Sequence, residues 1–426
     1  MVRTFPEPSA PEAVLGHITK GADLIVPLAN GEPVKTLDAL EANAAQFDGV
    51  RVHQMHALHD RPSVRGELRP HVTHVSYFLS PVTRPAFHAR QIELVPNHFS
   101  EVPRLLRSAT GCSMVLAAAS PMDRHGYFSL GTNADYVAPF IGSVPFFLEV
   151  NAQMPRTFGR NQLHVSQVVG YTEVDYPLVE VPPATPGPVE ESIAALVAER
   201  VPNGATIQAG IGAVPNALLA NLSHHRDLGI HTELLSDGMI DLIESGVVTG
   251  TQKEVARAKV VTTFALGTRA LYDFLHENTV VEFHAVDFVN DPRVIAREGC
   301  FVSINATTEV DLIGQCASET IAGRYWSSSG GQSDFARGAM YSPQGQAFLV
   351  LPSTTTDGTI SRIRSRLTAG SVVTTLKNTV DHVVTEYGVA ELRGRSISER
   401  ARALIGIAAP QFRDQLCHEA REMGYL

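Results

Sequence analysis

Short apolar runs alternate with stretches of helical spacing along most of the chain. Leu24-Ile25-Val26-Pro27-Leu28 is a run of strand length, and the segment from Pro33 to Leu40 follows it with Leu37 and Leu40 on one helical face. The same plan returns at Ala205-Thr206-Ile207-Gln208-Ala209, followed by Pro215 to Leu222 with Leu219 and Leu222. A proline stands in the first turn of each helix, where its missing N–H would have no partner anyway. Glycine and a new strand come next in both, at Gly49 and Gly229. Apolar strands joined by helices predict an α/β fold of open, mostly parallel sheets.

A break in the pattern divides the chain. Between Val179 and Pro188 stand Pro182, Pro183, Pro186 and Pro188, which can continue neither a helix nor a central strand. The expected organisation is therefore an N-terminal α/β domain over 1–180, a linker over 181–189 and a C-terminal α/β domain over 190–426. Its first helix runs through Glu191-Ser192-Ile193-Ala194-Ala195-Leu196-Val197-Ala198. A length of 426 residues agrees with two cores rather than one.

Composition narrows the function classes. Hydrophobic residues at 44% and charged residues at 18% describe a globular, water-soluble chain. The formal charge of -10 speaks against a general nucleic-acid binder, which needs a basic face, and leaves room for a local basic patch toward a phosphorylated cofactor. Cys112, Cys300, Cys316 and Cys417 form no C-x-x-C pair, so neither a zinc site nor a disulfide framework is expected. His53 with His56, and His71 with His74, have no carboxylate or cysteine beside them, and no metal is expected. With no leader pattern and no apolar segment of 18 residues, the expectation is a cytoplasmic protein without a membrane span.

Two segments of the second half can carry chemistry. In Gly210-Ile211-Gly212-Ala213-Val214-Pro215 a strand ends, two glycines permit a tight turn and a helix begins. Such a turn brings a ligand against main-chain N–H groups at a helix N-terminus, although a purely structural turn has the same sequence. In Gly229-Ile230-His231-Thr232-Glu233-Leu234-Leu235-Ser236-Asp237-Gly238, Ile230, Thr232 and Leu234 alternate on one strand face. His231 and Glu233 take the other face. Glu233 thus falls near the carboxyl end of a strand, where open α/β sheets bind ligands. A carboxylate there can also simply cap a helix.

Taken together, these strings resemble the acetyl-CoA hydrolase/4-hydroxybutyrate CoA-transferase family of class I CoA-transferases. Further strings fit the same pattern in order: Ser120-Pro121-Met122-Asp123-Arg124-His125-Gly126-Tyr127-Phe128-Ser129-Leu130-Gly131, then Glu149-Val150-Asn151-Ala152-Gln153-Met154-Pro155-Arg156-Thr157. Ser303-Ile304-Asn305, Glu309-Val310-Asp311-Leu312-Ile313-Gly314-Gln315 and Gly330-Gly331-Gln332-Ser333-Asp334-Phe335 follow. Val384-Thr385-Glu386-Tyr387-Gly388-Val389-Ala390-Glu391-Leu392-Arg393-Gly394 is the most specific. The resemblance implies two α/β domains of the sugar-phosphate isomerase-like type with the active site between them.

It also implies that Glu233 is the nucleophile of an acyl-CoA:carboxylate CoA-transferase. The carboxylate attacks the thioester, CoA thiolate attacks the resulting anhydride, and a glutamyl-CoA thioester passes CoA to a second acid. Gly210, Ile211, Gly212, Ala213 and Val214 would lie against CoA with N–H groups near the reacting carbonyl; Thr308, Gly314 and Gly331 are placed there by resemblance alone. The implied partners are an acyl-CoA, a short-chain carboxylic acid and a second copy of the chain in a homodimer. Glu309, Asp311, Glu319 and Asp334 read as turn, hairpin or helix-cap groups. Glu386 and Arg393 read as packing groups, and Arg362, Arg364 and Arg366 as one face of an extended segment. Pocket walls are expected from the N-terminal domain around His53-Gln54-Met55-His56 and Phe78. Two other readings stay open: a hydrolase of the same fold and a non-catalytic metabolite sensor.

Overall fold

Apolar runs become parallel strands whose neighbours bury both faces. In the computed structural model, which describes residues 5–210 and 212–426, Asp23–Val26 is buried throughout and pairs in parallel with Val50–Gln54, Leu24 level with Val52. Helix Val34–Ala42 connects the two and buries Leu37 and Leu40. Among the described residues this sheet has seven strands: Val168–Val174, Phe146–Asn151, Met114–Ala119, Asp23–Val26, Val50–Gln54, Val72–Ser76 and Glu93–Leu94, in that spatial order. Its neighbouring pairs are all parallel. Such a sheet, covered on both sides, needs continuous apolar strands.

The second sheet repeats this plan around Thr206–Ala209. Gly229–Leu235 lies on one side; Phe301–Ala306, Gln346–Val350 and His382–Thr385 follow on the other, all parallel. Gly388–Glu391 closes that edge in antiparallel register. The hairpin it makes carries Glu386, whose carboxylate accepts hydrogen bonds from Ser353 N–H at 2.9 Å and the Ser353 hydroxyl at 2.5 Å. Arg393 donates to the Met340 carbonyl.

The chain divides into two compact units, Met1–Pro182 with Val261–Val289, and Pro183–Val260 with Asn290–Leu426. No helix or strand occurs from 175 to 187, and helix Pro188–Ala198 begins at the last proline of the break. The linear division into 1–180 and 190–426 sets 261–289 with the second part, whereas the structure groups it with the first. Its strand Val281–Phe283 pairs in parallel with Phe158–Gly159, and the Thr263 carbonyl accepts from the amides of Ala134 and Asp135. No helix among the described residues is long and apolar enough to cross a membrane.

Candidate active site

Both sheets grow outward from a central strand, so each has a point where successive connections leave in opposite directions. In the second unit that point lies between Thr206–Ala209 and Phe301–Ala306. Ligands of open α/β sheets bind outside the carboxyl ends of strands at such a point. Two buried amides fasten it: Gln208 donates to Asn305 Oδ1 at 3.2 Å, and Asn305 donates back to Gln208 Oε1 at 2.9 Å. Just beyond, Gly210 N–H donates to the Ile304 carbonyl at 2.9 Å. A Cβ on Gly210 would press on Asn305 Oδ1.

Gly212 has φ 129°, a backbone that side chains resist, and forms the N-cap of helix Ala213–Asn221. The helix therefore starts two residues before Pro215, whose position still falls among the four N–H groups that no helix bonds internally. Ala213 is half-buried at its first position, and Val214 is buried. Ile211 lies outside the described residues.

Glu233 projects from strand Gly229–Leu235. Thr206 is level with Gly229 and Ile207 with Ile230, and continuing that register sets Glu233 level with Gly210. His231 is buried edge-on to Phe301, and the Thr232 hydroxyl donates to the Leu234 carbonyl. Asn290 Nδ2 donates to Glu233 Oε2 at 2.6 Å. The third wall is Gly331, the N-cap of helix Gln332–Tyr341. A Cβ there would overlap both Glu233 Oε2 and Asn290 Nδ2.

Burial pushes the Glu233 carboxyl up to about 7; the Asn290 hydrogen bond opposes the rise and the Asp334 charge adds to it. A carboxyl with that affinity for protons is half ionised near neutrality and more basic than a surface glutamate. Asn290 is fully buried, and its Oδ1 has no hydrogen-bond partner among the described residues. Sequence reading missed Asn290. It precedes Asp291-Pro292, an ordinary helix start whose Asp291 caps Arg293 N–H, and nothing local marks it as a neighbour of Glu233.

Residues 9–183 match the family model of the acetyl-CoA hydrolase/transferase N-terminal domain, and residues 267–420 match that of its C-terminal domain. The chain is 44% identical over 418 residues to the succinyl-CoA:cyclohexane-1-carboxylate CoA transferase of Geobacter metallireducens, covering 97% of this chain and 95% of that one. Against the 4-hydroxybutyrate coenzyme A transferase of Clostridium kluyveri it is 40% identical over 413 residues, 96% of each. It belongs to the acetyl-CoA hydrolase/transferase family. Its fold matches the crystal structure of RipA from Yersinia pestis with a TM-score of 0.94 at 37% identity, covering 98% of both chains. The chain is an enzyme that transfers CoA between carboxylic acids, which leaves the sensor reading without support.

In this acetyl-CoA hydrolase/transferase, Thr308 and Gly314 make local contacts. The Thr308 hydroxyl donates to the carbonyls of Ala317 at 2.6 Å and Thr320 at 2.9 Å. Gly314, at φ 91°, makes a turn packed against Leu392 and Arg400. Asp311 accepts from the amides of Ile313 and Gln315, Glu309 from Thr368, and Glu319 from Thr374, as turn and hairpin groups do.

The histidines have separate occupations. His53 sits between Asp23 and Tyr77, His56 lies edge-on to Phe78, and His71 hydrogen-bonds the Phe47 carbonyl. His74 is fully buried. No metal-holding cluster of histidine, cysteine or carboxylate groups occurs among the described residues.

Proposed function

We propose that the enzyme moves CoA between a short-chain acyl-CoA and a free carboxylate through a thioester on Glu233. The observation that carries this reading is the carboxylate of Glu233 held by Asn290 against a glycine with no side chain to block it. Glu233 attacks the acyl carbonyl, the C–S bond breaks and CoA thiolate leaves. The thiolate then attacks the glutamyl carbonyl of the mixed anhydride; the new C–S bond forms as the acid departs with the electron pair. A second acid reverses both steps, so neither ATP nor a metal takes part.

Each attack builds an oxyanion. The amide groups of Gly212, Ala213 and Val214, at the N-terminus of Ala213–Asn221, are the donors we assign to it, the Gly210 N–H being given to the Ile304 carbonyl. Relatives named for succinyl-CoA with cyclohexane-1-carboxylate and for 4-hydroxybutyrate support a short-chain monocarboxylate or dicarboxylate as the acid. We further infer a homodimer, drawn from the family resemblance and testable by sedimentation, and a cytoplasmic location, drawn from the sequence pattern.

The decisive experiment is incubation with acyl-CoA and no acceptor. The protein should gain the mass of CoA less water, at Glu233 alone, and borohydride should trap the species. An adduct at another residue, or normal transfer by Glu233→Gln, overturns the assignment. A panel of acids followed by mass spectrometry of acyl-CoA exchange identifies the acceptor and measures how much CoA is lost to water.

A further inference from the structure

Asp334 stands on the element that touches the reactive carboxylate. Gly331, the N-cap of helix Gln332–Tyr341, abuts Glu233 Oε2, and Asp334 is the third residue of that helix, 4% exposed. Helical side chains lean toward the N-terminus, so a side chain at the third position covers the turn against which Glu233 lies. Asp334 is buried and Glu233 half-buried, and the charge of Asp334 opposes ionisation of the Glu233 carboxyl.

We propose that Asp334 is a positioning residue whose like-charge repulsion with Glu233 is relieved when Glu233 becomes a neutral thioester. The proposal rests on the reading of Glu233 as the nucleophile. It goes beyond the helix-cap role that the sequence suggests for Asp334, since a cap would act on the helix and not on the reaction.

The charge balance gives the repulsion a direction. In its attacking form the free enzyme carries Glu233 as an anion, which the Asp334 charge opposes. On conversion to the thioester, CoA's sulfur is bonded to the glutamyl carbon, and the negative charge has left with the acid. Asp334 then faces a neutral group. Its repulsion thus raises the free enzyme relative to the thioester, and drives the covalent intermediate forward without touching substrate. Asn290, which donates to Glu233 Oε2, and the N-terminus of Gln332–Tyr341 act the other way by favouring the anion. His231, two residues earlier on the strand, is packed on Phe301. The Asp334 charge acts on the Glu233 carboxyl and reinforces the rise that burial causes.

Two readouts should move together in Asp334→Asn. The acidic limb of kcat/KM should shift toward lower pH. The equilibrium constant for acyl-CoA plus enzyme giving glutamyl-CoA enzyme plus acid, read by mass spectrometry at fixed acid, should fall on the order of tenfold for each pH unit of that shift. Asp334→Glu, which retains the charge, should keep the thioester equilibrium closer to wild type. Asp334→Ser, uncharged but still able to cap, replaces Asp334→Asn if the latter does not fold. If the uncharged variant lowers only the melting temperature, leaving the pH limb and the adduct equilibrium in place, Asp334 is a helix cap and the proposal is overturned. If wild type forms no adduct at Glu233, the nucleophile assignment has failed instead.

Discussion

Glu233 is an acid whose surroundings oppose its ionisation, and the consequences for rate and for stability have opposite signs. Only the carboxylate attacks, so kcat/KM should climb about tenfold per pH unit below about 7 and level off above it. For stability, the folded carboxyl holds its proton to higher pH than the unfolded one near 4.5. Between those values the native state binds more protons, and stability falls as pH rises through the window. Glu233→Gln, which abolishes transfer, should therefore be more stable than wild type above pH 7, by roughly 1–3 kcal/mol in urea unfolding. Equal stabilities at pH 8 would show that the carboxyl is not strained. Gly331 gives a sharper steric test. Its backbone, φ -98° and ψ 2°, is open to alanine, so Gly331→Ala meets its obstacle at Glu233 and Asn290 rather than in its own dihedrals. A displacement of about 1 Å should lower kcat on the order of 10²-fold, with circular dichroism unchanged.

At the scale of elements, helix Val34–Ala42 depends on a residue far away in sequence. Glu149, buried at the middle of strand Phe146–Asn151, accepts from Lys35 N–H, Thr36 N–H, the Thr36 hydroxyl and the Tyr176 hydroxyl. It supplies the anion that the helix N-terminus favours, because Pro33 as N-cap has no side-chain acceptor to offer. Glu149→Ala strands these donors and should destabilise the protein by roughly 3–5 kcal/mol, measured by chemical denaturation. A loss below about 1 kcal/mol would mean that water reaches the cap. Gln208 and Asn305 behave as a pair: either alone changed to leucine leaves a buried amide unsatisfied, while both together should cost less than the sum.

For the whole molecule, the expected route of transfer sets the kinetics. A CoA carried on Glu233 lets the first acid leave before the second enters. Initial rates with varied acyl-CoA at several acid concentrations should then give parallel double-reciprocal lines. Lines that intersect across a wide concentration range would favour direct attack within a ternary complex. The two units each build a parallel sheet outward from a central strand, with Asp23–Val26 and Thr206–Ala209 in matching roles. The short pattern shared by the two halves of the sequence corresponds to this common plan.

Much of this was legible because it is local. Period and run length located the strands at Leu24 and Thr206, the proline cluster marked the break near residue 183, and the order of short strings identified the family. Glu233 at a strand end beside a glycine turn followed from spacing alone. The tertiary structure decided what sequence distance hides. Val261–Val289 returns to the first unit because Val281–Phe283 finds a parallel partner in Phe158–Gly159, a pairing whose energy depends on neighbours and not on local propensity. Asn290 and Gly331 lie 57 and 98 positions beyond Glu233, and only the folding of strand and helix ends brings them onto one carboxylate. The hydrogen bonds of Thr308 to the Ala317 and Thr320 carbonyls, and the packing of Gly314 against Leu392 and Arg400, likewise join residues that motif membership alone does not pair. The sequence determined which chemistry was available; the register of strands determined which groups could share it, because hydrogen bonds and Coulomb forces act over a few ångströms and take no account of position along the chain.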